Sequence, residues 1–186
     1  MILLALGVVL FAACHLTLAV PSLRESWRAR LGKFYGPGLG LLSFLPLVLI
    51  VLGWRMAPLT PVYDAPFWGR IATFVLVFLG FLCLGIFFFR GSWRQKLRFP
   101  LAVGIAFWAA GHLLSNGDAA SLILFGGMLA YALGHLALGL ANGVRPSPEI
   151  RQGHDVISLI MGAAFFGVAA QLHTVLTGVP VVSLSH

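Results

Sequence analysis

The chain has 186 residues, of which 60% are hydrophobic and 9% are charged. A soluble domain averages about 25% charged residues, and a disordered chain combines low hydrophobicity with high net charge. Both classes are therefore excluded, and the composition indicates an integral membrane protein. The formal net charge is +7, but the basic residues gather in short loops rather than on one solvated face, so no nucleic-acid partner is expected.

Six apolar segments approach the length of about 20 residues that a helix needs to cross a bilayer. In chain order they are 1–20, 38–57, 68–89, 100–116, 118–140 and 155–177. The fourth is short and starts at Pro100, a residue that suits the first turn of a helix. Asn116-Gly117-Asp118 predicts a polar turn that joins spans four and five as an antiparallel hairpin. The predicted fold is all-α, a polytopic membrane helix bundle with about six transmembrane helices whose main partner is the lipid bilayer.

The basic residues mark alternate loops and so predict the orientation. Ten of the twelve fall between spans one and two, three and four, or five and six: Arg24, Arg28, Arg30, Lys33, Arg90, Arg94, Lys96, Arg98, Arg145 and Arg151. Arg55 and Arg70 fall on the other side. By the positive-inside rule the basic loops are cytoplasmic and both termini face outward. The loops are too short for a soluble domain, so we expect any site to lie among the helices.

Histidine is the polar residue type that stands out within the spans. His15, His112, His135 and His173 lie inside predicted spans, whereas His154 and His186 are expected to be solvated. Polar side chains are costly at membrane depth and usually have a partner or a task. A single such histidine is commonly hydrogen bonded to a neighbouring helix, but four favour a cofactor site. Imidazole is the usual axial ligand of haem, and helix bundles build cofactor sites from facing helices.

The helix around His112 has further features that suit a flat cofactor. Gly104, Trp108 and His112 recur at intervals of four residues and share one face, which offers close helix approach and an aromatic wall. From a rise of about 1.5 Å per residue, His15 and His112 differ in height by about 9 Å in an untilted bundle. His135 lies nearer the level of His15, and His173 lies nearer the outer surface. Depth alone therefore leaves the ligand pair open.

Three stretches of the sequence resemble the NnrU family. The first runs from Leu10 through His15 into the Pro21-Ser22-Leu23-Arg24 segment. The second and most specific runs from Arg98 to Gly127 and contains Gly111-His112-Leu113-Leu114. The third runs from His173 to Pro180. Together these stretches predict one NnrU-like transmembrane domain over residues 1–186.

The resemblance carries expectations about cofactor and function. NnrU proteins are bacterial membrane proteins associated with denitrification and nitrogen-oxide metabolism, and they are similar to 15-cis-zeta-carotene isomerase, a membrane enzyme that uses haem b. The resemblance implies a multi-pass protein of the bacterial inner membrane whose haem b iron is held by His15 and His112. His173, and after it His135, are the alternative ligands. The resemblance also implies that the oxidation state of this haem controls a reaction on a polyene or on a small diatomic ligand.

Two other residues are expected to contact the cofactor. Trp108 shares the face of His112, and Arg98 lies at the cytoplasmic edge, where it would pair with a haem propionate. The family usually reads Arg-His-Pro where this chain has Arg98-Phe99-Pro100. Any role of that middle histidine is therefore absent here.

Two further classes stay open alongside haem chemistry. The segment around Pro100 also resembles the isoprenylcysteine carboxyl methyltransferase family, which binds S-adenosylmethionine, although this chain lacks that family's histidine and its acidic C-terminal motif. The third class is a non-enzymatic accessory subunit of a nitrogen-oxide reductase, with a redox partner docked on the basic loops. Gly139 and Gly143 have the spacing with which membrane helices pack, within one chain or in a homo-oligomer.

Overall fold

The architecture was obtained from a computed structural model that describes residues 1–178 and residue 181. Within these residues the chain forms helices and no β-strand; one isolated bridge joins Pro61 and Asp118. The helices are α1 Ile2–Ala19, α2 Pro21–Leu31, α3 Tyr35–Arg55, α4 Gly69–Phe88, α5 Ser92–Leu97, α6 Pro100–Ser115, α7 Ala119–Ser121, α8 Gly127–Ala141 and α9 His154–Thr177. A 3₁₀ turn at Gly32–Phe34 joins α2 to α3, and a π-helical segment at Leu122–Gly126 joins α7 to α8. The predicted all-helical polytopic fold is confirmed.

Five of the six predicted spans are long and apolar enough to cross a membrane. They correspond to Ile2–Ala19, Pro21–Arg55, Gly69–Phe88, Ala119–Ala141 and His154–Val175. The remaining predicted span, the fourth in chain order, forms α6, which is apolar but has only 16 residues. At about 1.5 Å per residue it is about 24 Å long, less than the roughly 30 Å of a hydrocarbon core. Both ends of α6 therefore lie close to a membrane boundary.

Helices α2 and α5 occupy segments for which the hydropathy pattern predicts loops. Proline at the start of α2 suits a first helical turn, and Arg28 and Arg30 in its last turn complement the helix dipole. Helix α5 likewise ends on basic residues, Arg94 and Lys96. Both helices are too polar for the hydropathy criterion that located the spans, which is why the sequence did not distinguish them from loops.

The long helices pack in the spatial order α3, α1, α8, α6, α4 and α9. Glycines set the closest approaches. A Cβ atom on Gly80 would lie 2.8 Å from the carbonyl oxygen of Gly104, and the reverse contact is equally short, so α4 and α6 touch through their backbones. Gly85 on α4 and Gly162 on α9 make a second such contact. Small residues permit this packing between membrane helices, and it places α4 between α6 and α9.

The predicted turn between spans four and five is confirmed. Asp118 caps the following helix, with its carboxylate accepting from the Ser121 amide at 3.0 Å and from the Ser121 hydroxyl at 2.6 Å. The loop before α4 closes over this turn, because the Val62 and Tyr63 amides both donate to the Gly117 carbonyl. The loop before α4 and the turn between α6 and α7 are thereby fixed relative to each other.

The buried core lies where α1, α6 and α8 meet. Its members include Leu4 and Val8 of α1, Ala109 of α6, and the aromatic residues Phe125 and Tyr131 of the π-helical segment and α8. The two aromatic rings face the histidines described below.

Candidate functional site

The structure arranges the four intramembrane histidines in two pairs. His112 on α6 and His173 on α9 have ring centres 6.4 Å apart, with ring planes within 20° of parallel. We call them the α6–α9 histidine pair. His15 on α1 and His135 on α8 both contact the Tyr131 ring, each with its centre 6.0 Å from that of the tyrosine. We call these the α1–α8 histidine pair.

His112 has the hydrogen bonding of a metal-binding imidazole. Its Nδ1 lies 2.8 Å from the Trp108 carbonyl oxygen, which can only accept, so Nδ1 carries the hydrogen. Nε2 of the neutral ring then keeps its lone pair. Metal-ligating histidines typically donate the other ring N–H to a carbonyl or carboxylate in this way, which fixes the tautomer and the ring orientation.

Aromatic rings hold His112 on two sides. Phe125 stacks on it with a centre-to-centre distance of 4.4 Å and an angle of 19° between the ring planes. Trp108 packs against both, with its centre 5.3 Å from that of His112 and 5.0 Å from that of Phe125. The expectation that Trp108 and His112 share one face is confirmed. Phe125 was not singled out in the sequence, because one phenylalanine in a chain with 15 of them carries no distinctive signal.

The separation within the α6–α9 histidine pair suits two imidazoles on one ion. A metal–imidazole bond is about 2 Å long, and a ring nitrogen lies roughly 1 Å from the ring centre, so two such rings would have centres about 6 Å apart. The observed distance between the centres of His112 and His173 is 6.4 Å. Nδ1 of His173 lies 3.2 Å from the Thr177 hydroxyl oxygen. The distance between the ring centres is therefore compatible with two imidazoles on one iron.

His15 has the same tautomer as His112. Its Nδ1 lies 2.9 Å from the Phe11 carbonyl oxygen, so Nδ1 donates, and Nε2 accepts from the Ser43 hydroxyl at 3.3 Å. Phe11 also stacks on the ring, at 4.1 Å between centres. An imidazole whose Nε2 is held only by a long hydrogen bond can exchange that bond for a metal. Ser43 on α3 was missed in the sequence, since serine in an apolar helix usually bonds its own backbone.

His15 and His112, the pair implied by the resemblance, are not adjacent. Both contact the same side of the bundle core, but His112 stacks on Phe125 and His15 packs against Tyr131. These two aromatic residues are six positions apart in a continuous helix, which corresponds to about 9 Å along its axis. His15 and His112 therefore contact different aromatic residues of one helix, and no ring contact between the two is found in the described part of the chain.

Arg98 also lies away from His112. It immediately precedes α6, so about 21 Å of helix axis separates the two residues. Its Nε donates to the Val144 carbonyl at 2.6 Å, and its guanidinium lies over the Phe99 ring. Phe99 in turn packs on Gly139, where a Cβ would come within 2.6 Å of the phenylalanine ring. The phenylalanine that replaces the family's usual histidine thus fills the gap between α6 and α8.

The remaining polar groups offer no larger metal site. Within residues 1–178, no group of three or more histidine, cysteine, aspartate or glutamate side chains could hold an ion. Cys14 and Cys83 are free thiols. His154, expected to be solvated, instead begins α9 half-buried, and its Nδ1 is buried with no partner in the described part of the chain. His186 lies outside the described residues.

An apolar groove of about 140 Å³ adjoins the site between α4 and α6. Gly80 and Gly104 form its floor, and Trp108 forms one end. Apolar cavities of about 150 Å³ hold molecules the size of benzene. The groove therefore has room for a small apolar molecule beside the indole that contacts His112.

The fold and the site define the protein first as a polytopic helical membrane protein with a histidine pair held by aromatic residues in its core. The NnrU protein family model matches residues 3–181, nearly the whole chain. The chain therefore belongs to the NnrU family. No curated protein and no solved structure matches it.

Proposed function

We propose that this protein binds haem b within the bundle, with His112 as an axial ligand. The observation that carries the proposal is the environment of His112. Its Nδ1 donates to the Trp108 carbonyl, Phe125 stacks on one face, and a second imidazole lies at the distance that one ion requires. Haem b, when bound, would supply an iron that changes between ferric and ferrous states and binds soft ligands.

The second axial ligand has two candidates, each with its own support. His15 is the ligand implied by the resemblance to zeta-carotene isomerase, and its tautomer leaves Nε2 as the acceptor. His173 is the ligand favoured by distance, because its ring is already 6.4 Å from that of His112. With two imidazoles bound, an external ligand could bind only after one of them leaves.

The remaining residues of the site orient the His112 ring and shield it from water. The Trp108 carbonyl holds the His112 hydrogen at Nδ1, so that Nε2 is presented as the donor atom to the metal. Phe125 and Trp108 restrict rotation of the ring and exclude water from it. The groove beside Trp108 would admit a small apolar molecule from the lipid side.

Membership of the NnrU family supports a role in nitrogen-oxide metabolism in the bacterial inner membrane. The size of the groove favours a small diatomic ligand such as nitric oxide over a complete polyene. A haem-dependent isomerase acting on a polyene at the lipid-facing surface is the second candidate, and it rests on the resemblance to zeta-carotene isomerase. An accessory subunit that passes electrons to a nitrogen-oxide reductase would need the same haem.

The methyltransferase alternative loses support at Phe99. In the segment that would hold S-adenosylmethionine, the ring of Phe99 packs on Gly139 and fills the space between α6 and α8.

The experiment that separates the two classes is a paired titration of the purified protein in detergent. Haem is added and followed by its Soret absorption, and S-adenosylmethionine is added in a separate calorimeter run. We expect saturable haem binding at one equivalent per chain and no heat from S-adenosylmethionine. Binding of S-adenosylmethionine without haem would overturn the proposal and establish the methyltransferase class.

A further inference from the structure

A cavity of about 230 Å³ lies beside the ends of α1, α6 and α8, far from His112. Arginines from four separate segments line it: Arg24 of α2, Arg94 of α5, Arg98 before α6 and Arg145 after α8. We call it the arginine cavity. Its lining residues, all of them described by the structure, include no carboxylate.

Two carboxylates of neighbouring segments make their contacts with groups outside the cavity lining. Glu149 pairs with Arg90, with 2.8 Å between the charged atoms. Asp155 accepts from the Ser92 hydroxyl at 2.5 Å and from the Trp93 amide at 3.0 Å. Within the described residues, no carboxylate lies within ion-pair distance of the four arginines of the cavity.

Two of the arginines are half-buried and held in place. Arg94 lies over the Phe87 ring at 5.3 Å, and Arg98 lies over Phe99 while its Nε donates to Val144. The backbone of Arg98 also has a φ of 60°, which residues other than glycine rarely adopt. Burial, together with the charge of Arg90, lowers the pKa of the Arg94 guanidinium. Holding cations close together at such a site costs free energy that a bound anion would offset.

The rest of the lining is apolar. Leu18, Phe87 and Leu101 contribute a hydrocarbon wall next to the arginines. His135 also faces the cavity, and its Nδ1 is buried without a hydrogen-bond partner among the described residues. A ligand that satisfies all of these groups has an anionic head with hydrogen-bond acceptors and an apolar tail.

We propose that the arginine cavity binds the phosphate group of an anionic phospholipid, drawn from the leaflet on the side of the basic loops. Basic pockets between membrane helices on the cytoplasmic side are known to take such headgroups, and guanidinium groups bind phosphate oxygens in pairs. The apolar wall at the ends of three membrane helices selects a lipid over free phosphate. The site is separate from the proposed haem site and does not depend on it.

The test measures lipid affinity of the full chain. The protein in neutral detergent is titrated with phosphatidylglycerol and, in parallel, with phosphatidylcholine, and bound lipid is counted by native mass spectrometry. The variant R94Q/R145Q removes two charges from the cavity. The matched control R30Q/K33Q removes two charges from the same side of the protein, outside the cavity.

We expect saturable binding of phosphatidylglycerol, with little binding of phosphatidylcholine. Each basic residue near an anionic lipid surface changes affinity by about fivefold, so R94Q/R145Q should weaken binding by roughly thirtyfold. R30Q/K33Q should retain the wild-type affinity. Circular dichroism and gel filtration verify that each variant is folded.

Three results would overturn the proposal. An equal loss in R30Q/K33Q would show that the attraction is only the general charge of the basic loops. Displacement of the lipid by equimolar inorganic phosphate would show a soluble-phosphate site. A loss of Soret absorption in R94Q/R145Q with unchanged lipid affinity would show that the arginines bind haem propionates instead.

Discussion

The two histidine pairs differ in what their surroundings leave for a ligand. In the α6–α9 pair, His112 is stacked on Phe125 and has its partner imidazole 6.4 Å away, between centres. In the α1–α8 pair, both imidazoles make edge contacts to the Tyr131 ring, and Ser43 occupies the Nε2 of His15. The first pair brings two imidazole rings into contact with each other, whereas the members of the second share a tyrosine as their ring contact. Burial of histidine in a membrane helix therefore does not by itself define a cofactor site.

The largest expected effect comes from removing one histidine from each pair. His112→Ala should reduce bound haem to less than roughly a tenth of the wild-type level, because even residues that only orient a metal ligand contribute ten- to a hundredfold in affinity. His135→Ala, the matched variant in the other pair, should retain haem. Pyridine haemochrome assays on the purified proteins measure the occupancy, and the reverse pattern would show that the functional pair has been assigned to the wrong side of the bundle.

The second ligand can be identified by two further variants. Loss of one axial imidazole converts a six-coordinate low-spin iron to a species with an open position, which shifts the Soret band and changes the electron paramagnetic resonance spectrum. We expect this change in His173→Ala if the distances of the structure persist when haem is bound, and in His15→Ala if the helices move to bring the family's ligand into place.

Carbon monoxide binding to the ferrous forms provides the control for that comparison. The variant that has lost a ligand should bind carbon monoxide without delay, and the other should behave as the wild type. An unchanged spectrum in both variants would exclude both histidines as the second ligand.

A smaller effect is expected at the helix contacts that place α4 between α6 and α9. A Cβ on Gly85 would collide with the Ser158 carbonyl oxygen. Gly85→Ala should lower the free energy of unfolding by about 1–3 kcal/mol, as overpacking does elsewhere. Gly126→Ala is the control, because nothing lies within 4 Å of the position of its Cβ. Unfolding in mixed detergent micelles measures both, and equal stability of the two variants would contradict the close contact between α4 and α9.

The smallest expected effect concerns a hydroxyl between α4 and α6. Thr73 Oγ1 lies 2.6 Å from the Gly111 carbonyl oxygen, next to His112 in sequence. Thr73→Val keeps the shape but removes the bond, and interhelical hydrogen bonds in membranes are worth about 0.6 kcal/mol on average. Thr73→Ser should retain most of that stability in the same unfolding assay. Unchanged stability in Thr73→Val would show that this hydroxyl does not stabilise the contact between α4 and α6.

Hydropathy and turn chemistry predicted most of the fold. The five long spans and the turn at Asp118 follow from local composition. The spatial order of the helices did not follow, because it depends on which glycines meet. Gly80 touches Gly104, and Gly85 meets Ser158 on α9, but their spacing in the sequence does not identify their partners.

The sequence predicted individual residues of the site, but it did not predict which of them lie close together. The sequence identified His112 and Trp108, and the structure brings them together on one face. The proximity of His173 to His112 could not be derived, because both helices reach each other by packing on α4. The sequence also identified His15, which contacts Tyr131, whereas His112 stacks on Phe125. Which histidine completes the site depends on how the helices respond to haem.

The most direct test of the central claim is the absorption spectrum of the wild-type protein, purified in detergent from cells supplied with haem precursor. The account predicts a Soret band, one haem per chain and a low-spin ferric iron with two imidazole ligands. The absence of a Soret band, even after haem is added to the purified and folded protein, would contradict it.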